Sequence, residues 1–341
     1  MKLASFIQTY NLSNKIFDIS DRNINRDNYA YFYFMLKDTF KKQGIDLSTC
    51  DINEPSYSDI VLYHGLTQDF IDYGYNKSYL LAIESSHVDP KSFDENYHYY
   101  FKKIFTWNDD LIDNKKYFKV NYAFAIPKTI PKKFKNKKLC CTIAGNKSAS
   151  HSDELYTKRV EFIRWFETYH PKEFDLYGTG WNKYHFSGPK IVRAFNKIPY
   201  IPELIAKFTN NKYSSYKGLV DSKFETMKNY KFAICYENIK DQNGYITEKI
   251  FDCFFAGCVP IYWGAKNVTE YIPRECFIDK REFDSFERIY DYIKNMDEKT
   301  YINYLNAIEK FLNSSKADPF RAENFASTIV NEVLKDLDDF S

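Results

Sequence analysis

Apolar residues along the chain fall into short runs separated by polar turns, and longer stretches with a helical period lie between them. In the first half, LASFI, DIVLYHG and YLLAIES read as strands, with FKKIFTWN and KVNYAFAIP as further strands. NYAYFYFMLKDTFKKQG repeats its apolar positions at helical spacing and stops at Gly44. The second half restarts with the strand LCCTIAGNKS, the helix DELYTKRVEFIRWFETY, and a strand and turn at FDLYGTGW. From Lys217 the pattern runs helix, strand KFAICYEN, polar loop, helix, strand VPIYWG. Beyond Ser285 it is mostly helical and closes with the amphipathic DPFRAENFASTIVNEVLKDL. Strands alternating with helices predict an α/β architecture with mostly parallel sheets.

Two stretches interrupt this rhythm. Residues 126–138, IPKTIPKKFKNKK, are Lys-rich and punctuated by Pro127 and Pro131, and read as a solvated linker or, alternatively, an anion or phospholipid patch. They divide the chain into a domain over 1–125 and a second over 139–341. Residues 182–216 are rich in Lys, Asn and Tyr without a period, which predicts an insertion or loop region.

Composition narrows the function classes. A chain of 341 residues has room for two cores. Its 48 basic and 46 acidic residues nearly cancel, so no global field draws it to nucleic acid. Thirty Tyr and thirty Phe argue against a disordered chain. The N-terminal MKLASFIQTYNLSNKIFD lacks the apolar core of a signal peptide, and no run is apolar enough to span a membrane. Seven cysteines without a CxxC pair sit mostly in apolar runs, the pattern of reduced, buried thiols and a cytoplasmic protein. With no HxxxH, CxxC or strand-flanked Asp-x-Asp, no metal site is expected. Asp109–Asp110 and the acidic tail read as charge runs.

The chemistry concentrates in residues 230–265, YKFAICYENIKDQNGYITEKIFDCFFAGCVPIYWGA. A buried-type strand ends at Glu237 and Asn238, and a polar loop leads through Tyr245 to Thr247, an N-cap residue. Glu248 and Lys249 occupy the first helical turn. A loop at the carboxyl end of a parallel strand is where open α/β sheets bind ligands. Glu248 suits a helix N-terminus, whereas Lys249 opposes the dipole unless an anion such as a diphosphate sits there; a surface Glu–Lys pair is the alternative.

Three blocks of this segment, YKFAICYEN, YITEK and AGCVPIYWG, closely resemble the C-terminal signature of glycosyltransferase family 10, the α-1,3/α-1,4-fucosyltransferases. LLAIESSHVDP, FKKIFTWNDD, TKRVEF, FDLYGTGW and YKGLVDSKFETMKNY resemble further family segments in order, over roughly residues 75–290. The resemblance implies a GT-B-like fold, two Rossmann-like domains facing a central cleft. It implies Glu84 as general base and a donor site for GDP-fucose at Arg159, Asn238, Tyr245, Thr247, Glu248 and Lys249. It further implies inversion at fucose, no required cofactor, and an N-acetylglucosamine-containing oligosaccharide or lipid-linked glycan as acceptor. Divalent-metal stimulation and peripheral association with the inner face of the membrane stay open, as do another nucleotide sugar and a non-catalytic binding role. Family members differ most from this chain over 182–215, which bears on the acceptor.

The residues themselves support some of these roles. Arg159 shares a helical stripe with Leu155, Phe162 and Phe166, where an arginine is costly unless paired, and its fork suits a diphosphate or a structural salt bridge. Glu84 follows an apolar strand, where a carboxylate facing a cleft can accept a hydroxyl proton. His87 competes locally as base or contacts the acceptor. Asn238 offers donor and acceptor groups for sugar hydroxyls. Glu237 either holds the loop or contacts the donor sugar, and Tyr245 either contacts the donor or packs the loop.

Overall fold

The computed structural model describes residues 2–338 except 67–69, 150, 185–188, 199 and 209–212. Two parallel sheets organise the chain. The first contains β1 (Lys2–Ile7), β2 (Ile45–Thr49), β3 (Ile60–His64), β4 (Ser78–Ala82), β5 (Lys103–Thr106) and β6 (Tyr117–Lys119), in the order β2-β1-β3-β4-β5-β6. The second contains β7 (Lys138–Ile143), β8 (Phe174–Tyr177), β9 (Tyr230–Tyr236), β10 (Val259–Trp263) and β11 (Ile278–Asp279), in the order β11-β10-β9-β7-β8. Every pairing is parallel. Such strands are covered on both faces, which accounts for continuous apolar runs such as β4, buried along its whole length.

The strand order fixes where a ligand can sit. In the second sheet the chain moves from β7 outward to β8, then returns to place β9 on the other side of β7. The loops leaving β7 and β9 therefore diverge and open a crevice at their carboxyl ends.

Three expectations are revised. The terminal helix Ala322–Asp338, assigned from the sequence to the second domain, packs on the first instead. Its buried stripe, Phe325, Ala326, Ile329, Val330 and Val333, joins the core formed by Tyr33, Leu36 and Phe40 of the helix Tyr31–Lys42. Lys103 pairs with Glu332 and Asp336 at 3.0 Å each, fixing the helix to β5. KVNYAFAIP is not a strand: β6 ends at its first residue, Lys119, and the rest crosses between domains with Phe124 N donating to the Phe320 carbonyl at 2.8 Å. The linker keeps most of its lysines exposed, as expected, but packs its apolar residues. Ile130 N donates to Glu309, Lys231 lies 3.5 Å from the centre of the Phe134 ring, and a Cβ on Gly257 (φ +61°) would meet the Pro131 carbonyl at 1.9 Å. Within the aperiodic 182–216 stretch, two short helices form, Lys190–Ala194 and Ile201–Phe208.

Candidate active site

A cavity of about 650 Å³ occupies the crevice between β7 and β9. Gly145 and Lys147 line it from the loop after β7, Tyr156 and Arg159 from the helix Tyr156–Tyr169, and Asn238, Glu248 and Lys249 from the unit after β9. A second cavity of about 630 Å³ shares Lys147, Asn238, Glu248 and Lys249 and reaches the first domain at Glu84, Tyr122 and Tyr29. The two form a continuous space in the size range of small-molecule sites.

The floor of the crevice rests on Glu237. Its side chain is fully buried, with Oε1 accepting from Thr247 N at 2.9 Å and Oε2 from Thr247 Oγ1 at 2.6 Å and Lys249 Nζ at 3.2 Å. Thr247 caps the helix Glu248–Phe255 by accepting from Lys249 N. Glu237 and Thr247 thus hold the loop together and do not appear in the wall of either cavity. These side-chain bonds of Glu237 all brace the loop.

Lys249 faces the cavity between Glu237 and Glu248, the latter at 3.6 Å. Burial opposes its ammonium, but Glu248 and Glu237 outweigh that cost and raise its pKa. Conversely, Lys249 and Lys223 overcome burial and draw Glu248 down to about 2. Both are therefore charged at neutral pH.

Arg159 is buried at 4% exposure and donates through Nη2 to the Tyr236 carbonyl at 2.7 Å and the Glu237 carbonyl at 3.2 Å. The two carbonyls at the end of β9 satisfy part of its fork, and its guanidinium lies 5.5 Å from the centre of the Tyr156 ring. Among the described residues no carboxylate lies within ion-pair distance of it, so the structural salt bridge is absent. It lines the cavity, and Glu237 and Glu248 act on its charge from beyond ion-pair distance.

Glu84 follows β4, and its carbonyl accepts from Trp107 Nε1 at 2.9 Å. Burial and then the charge of Glu248 raise its carboxyl pKa, while Lys249 and Lys147 oppose the rise. A carboxylate made more basic in this way is a stronger proton acceptor. Asn238 lines both cavities, and its Nδ2 approaches Tyr245 Oη at 3.5 Å. The buried Tyr245 ring packs against Trp107 at 4.8 Å, joining the two domains while its hydroxyl borders the second cavity.

His87 is in neither cavity wall. Its ring stacks on His151 at 4.0 Å, and its Nε2 lies 3.3 Å from Asp153 Oδ1. This His/His/Asp group revises the expectation of no metal-type cluster: two domains supply its members, so no local spacing motif announces it.

Several lining residues escaped the sequence reading, namely Lys147, Tyr156, Lys223 and Asp252. Asp252 offered a signal. It sits one turn after Glu248 on an otherwise apolar helix, a like-charge pair that requires a cation, and Lys223 meets it at 2.7 Å. Asp109 was misread as part of a charge run. It accepts from Asn267 Nδ2 at 2.9 Å and Tyr271 Oη at 2.6 Å and pairs with Lys119, clasping the domains.

Residues 133–324 match the family model described as glycosyltransferase family 10 (fucosyltransferase), C-terminal. The chain belongs to this family. Among curated family relatives, the α-(1,3)-fucosyltransferase FucT of Helicobacter pylori is 35% identical over 97 residues, covering 26% of this chain and 20% of that protein. The α-(1,4)-fucosyltransferase of Arabidopsis thaliana is 38% identical over 80 residues, 23% of this chain and 20% of that protein. The aligned stretches thus span about a fifth of those relatives' length. A crystal structure of an α1,3-fucosyltransferase with GDP-fucose superposes with a TM-score of 0.51 at 17% identity, over 99% of this chain and 89% of that one. A DNA-modifying β-glucosyltransferase superposes with a TM-score of 0.52 at 10% identity, over 98% and 99%. These neighbours are GT-B-type glycosyltransferases, and the family-10 chain shares their architecture of two parallel-sheet α/β domains. Among its described residues, no helix is long and apolar enough to cross a membrane.

Proposed function

We propose that this chain is an inverting fucosyltransferase that moves L-fucose from GDP-fucose to a hydroxyl of an N-acetylglucosamine-containing glycan, with an α-1,3 linkage. The observation that carries the reading is the continuous space between domains, with Glu84 on one side and Arg159, Lys147 and Lys249 on the other. Glu84 takes the proton of the acceptor hydroxyl as its oxygen attacks fucose C1. The bond from C1 to the diphosphate breaks on the opposite face, and GDP leaves with the electron pair, so a β-linked donor gives an α-linked product. Fixed cations stabilise the charge that develops on the diphosphate. Asn238 is placed to hydrogen-bond sugar hydroxyls near the reacting centre.

The reading extends to a lipid-linked precursor of a surface polysaccharide, met at the cytoplasmic face of a membrane. Support comes from Ile191 and Tyr200, which are 80% and 83% exposed in a stretch that carries Lys190, Arg193, Lys197 and Lys207.

The test incubates purified protein with a panel of nucleotide sugars and β-galactosyl-N-acetylglucosamine acceptors and measures released nucleotide. Turnover with GDP-fucose, abolished in Glu84→Gln while GDP binding by calorimetry persists, is the expected result. Product only from a non-GDP donor overturns the donor assignment, and undiminished turnover by Glu84→Gln overturns the base. Retention on vesicles of anionic lipid, lost in an Ile191→Asp/Tyr200→Asp variant, is expected for the membrane-face extension; equal retention refutes it.

A further inference from the structure

We propose that His87, His151 and Asp153 form a binding site for a divalent transition-metal ion of the zinc class, bridging the two domains beside the cleft. His87 belongs to the loop after β4, three residues beyond Glu84. His151 and Asp153 belong to the segment between β7 and the helix Tyr156–Tyr169. One ligand atom from each residue lies within 4.8 Å of the other two.

The arrangement is hard to explain by hydrogen bonding alone. The two imidazoles stack at 4.0 Å with 16° between their planes. Neutral imidazoles offer lone pairs, the donor form that metals require. The His87 side chain is 8% exposed and its Nδ1 is buried without a hydrogen-bond partner, although a buried imidazole normally satisfies both nitrogens.

The donor set selects the ion. Two imidazole nitrogens and one carboxylate oxygen suit zinc, cobalt or nickel, whereas calcium and magnesium prefer shells of oxygen ligands. Three protein ligands leave one tetrahedral position for solvent. The position of the site gives it a mechanical consequence. The Asp153 carbonyl accepts from Lys240 N at 2.8 Å, and the Asn238 carbonyl accepts from Leu155 N at 3.0 Å, so the His151–Asp153 segment is stitched to the strand end that carries Asn238. An ion held there ties the Glu84 loop to the donor-side loop.

The test uses the full chain, stripped with chelator and titrated with Zn²⁺ by calorimetry and with Co²⁺ by visible absorption. One equivalent is expected to bind, with Co²⁺ bands of four-coordinate intensity. Affinity falls at least about 10–100-fold in His151→Ala and in His87→Ala, the range set by losing even a supporting partner of a ligand. Because His151 is exposed, His151→Ala leaves the chelator-treated melting temperature at the wild-type value, so lost binding there reports a ligand and not misfolding. Zinc raises the wild-type melting temperature and not that of His151→Ala. Absence of saturable binding by the wild type overturns the proposal, as does undiminished affinity in His151→Ala. Metal binding is read without fucosyl transfer, so this result and that of the transfer assay are independent.

Discussion

Replacing Glu237 by Gln tests whether the donor-side loop is held as described. The substitution keeps the shape of the side chain and removes its charge. In the wild type, Oε1 accepts from Thr247 N at 2.9 Å, while Oε2 accepts from Thr247 Oγ1 at 2.6 Å and from Lys249 Nζ at 3.2 Å. A glutamine preserves the first contact through its amide oxygen. Its amide nitrogen then faces the Lys249 ammonium, a donor against a donor, in a position with no access to water. Hydrogen bonds to charged groups contribute about 1.5–3 kcal/mol, and one is lost outright while another loses its charge, so about 2–4 kcal/mol of destabilisation is expected. For a unit of this size that lowers the melting temperature by about 5–15 °C. Differential scanning calorimetry and urea unfolding measure it directly. Adding Lys249→Met removes the stranded ammonium, so the double variant should lose less than the two single losses combined. A Glu237→Gln melting temperature equal to wild type, or strict additivity in the double variant, would refute the bracing role.

The raised carboxyl pKa of Glu84 gives a pH dependence of kcat/KM with a definite sign: the base form accumulates as pH rises, so activity climbs on the acid side through a limb above the ordinary glutamate value of 4.5. A limb at or below that value contradicts the assigned environment. Gly244 has φ +81°, and a Cβ there would lie 2.3 Å from the Trp107 carbonyl across the domain interface, so Gly244→Val should lower the melting temperature and slow transfer together. Normal stability with normal turnover would show that the interface does not close as described. Ile329→Ala in the terminal helix should cost about 2–5 kcal/mol in urea unfolding, because the residue is buried in the first domain's core. A loss below about 1 kcal/mol, well under the least expected for a buried isoleucine truncated to alanine, would place that helix elsewhere. Arg159→Gln should weaken GDP binding by calorimetry more than Lys249→Ala does; equal losses would contradict the weaker direct pairing of Arg159 with carboxylates.

What the sequence made legible was local. The unit from Tyr230 to Trp263 could be read because each of its signals, an apolar strand, an N-cap threonine and a terminating glycine, acts within a few residues. Arg159 stood out because a cation on an apolar stripe demands a partner, although not the carbonyls that supply it. Contacts between distant segments were not legible. Asp109 looked like one of a pair of solvated acids until Asn267 and Tyr271 were brought to it. The helix Ala322–Asp338 has an apolar stripe that would suit either domain, and only the packing of Tyr31–Lys42 decides between them. His87 and His151 meet for the same reason, since no pattern in either segment anticipates the other.

The same limit explains why counting cations in the signature ranks them wrongly for anion binding. Lys249 is the conspicuous charge in the sequence, yet the fold places it against Glu237 and Glu248, and Lys223 against Asp252 and Glu248. A diphosphate approaching either lysine also meets those carboxylates, so the attraction is partly cancelled before binding begins. Arg159 is held by neutral carbonyls, and Glu237 and Glu248 act on it only from beyond ion-pair distance, so less of its charge is cancelled. In a buried site an uncompensated cation interacts with an anion far more strongly than a paired one. The donor diphosphate should therefore draw more of its stabilisation from Arg159 than from Lys249. Glu237 and Glu248 meanwhile keep the Lys249 ammonium charged and the helix entrance in place.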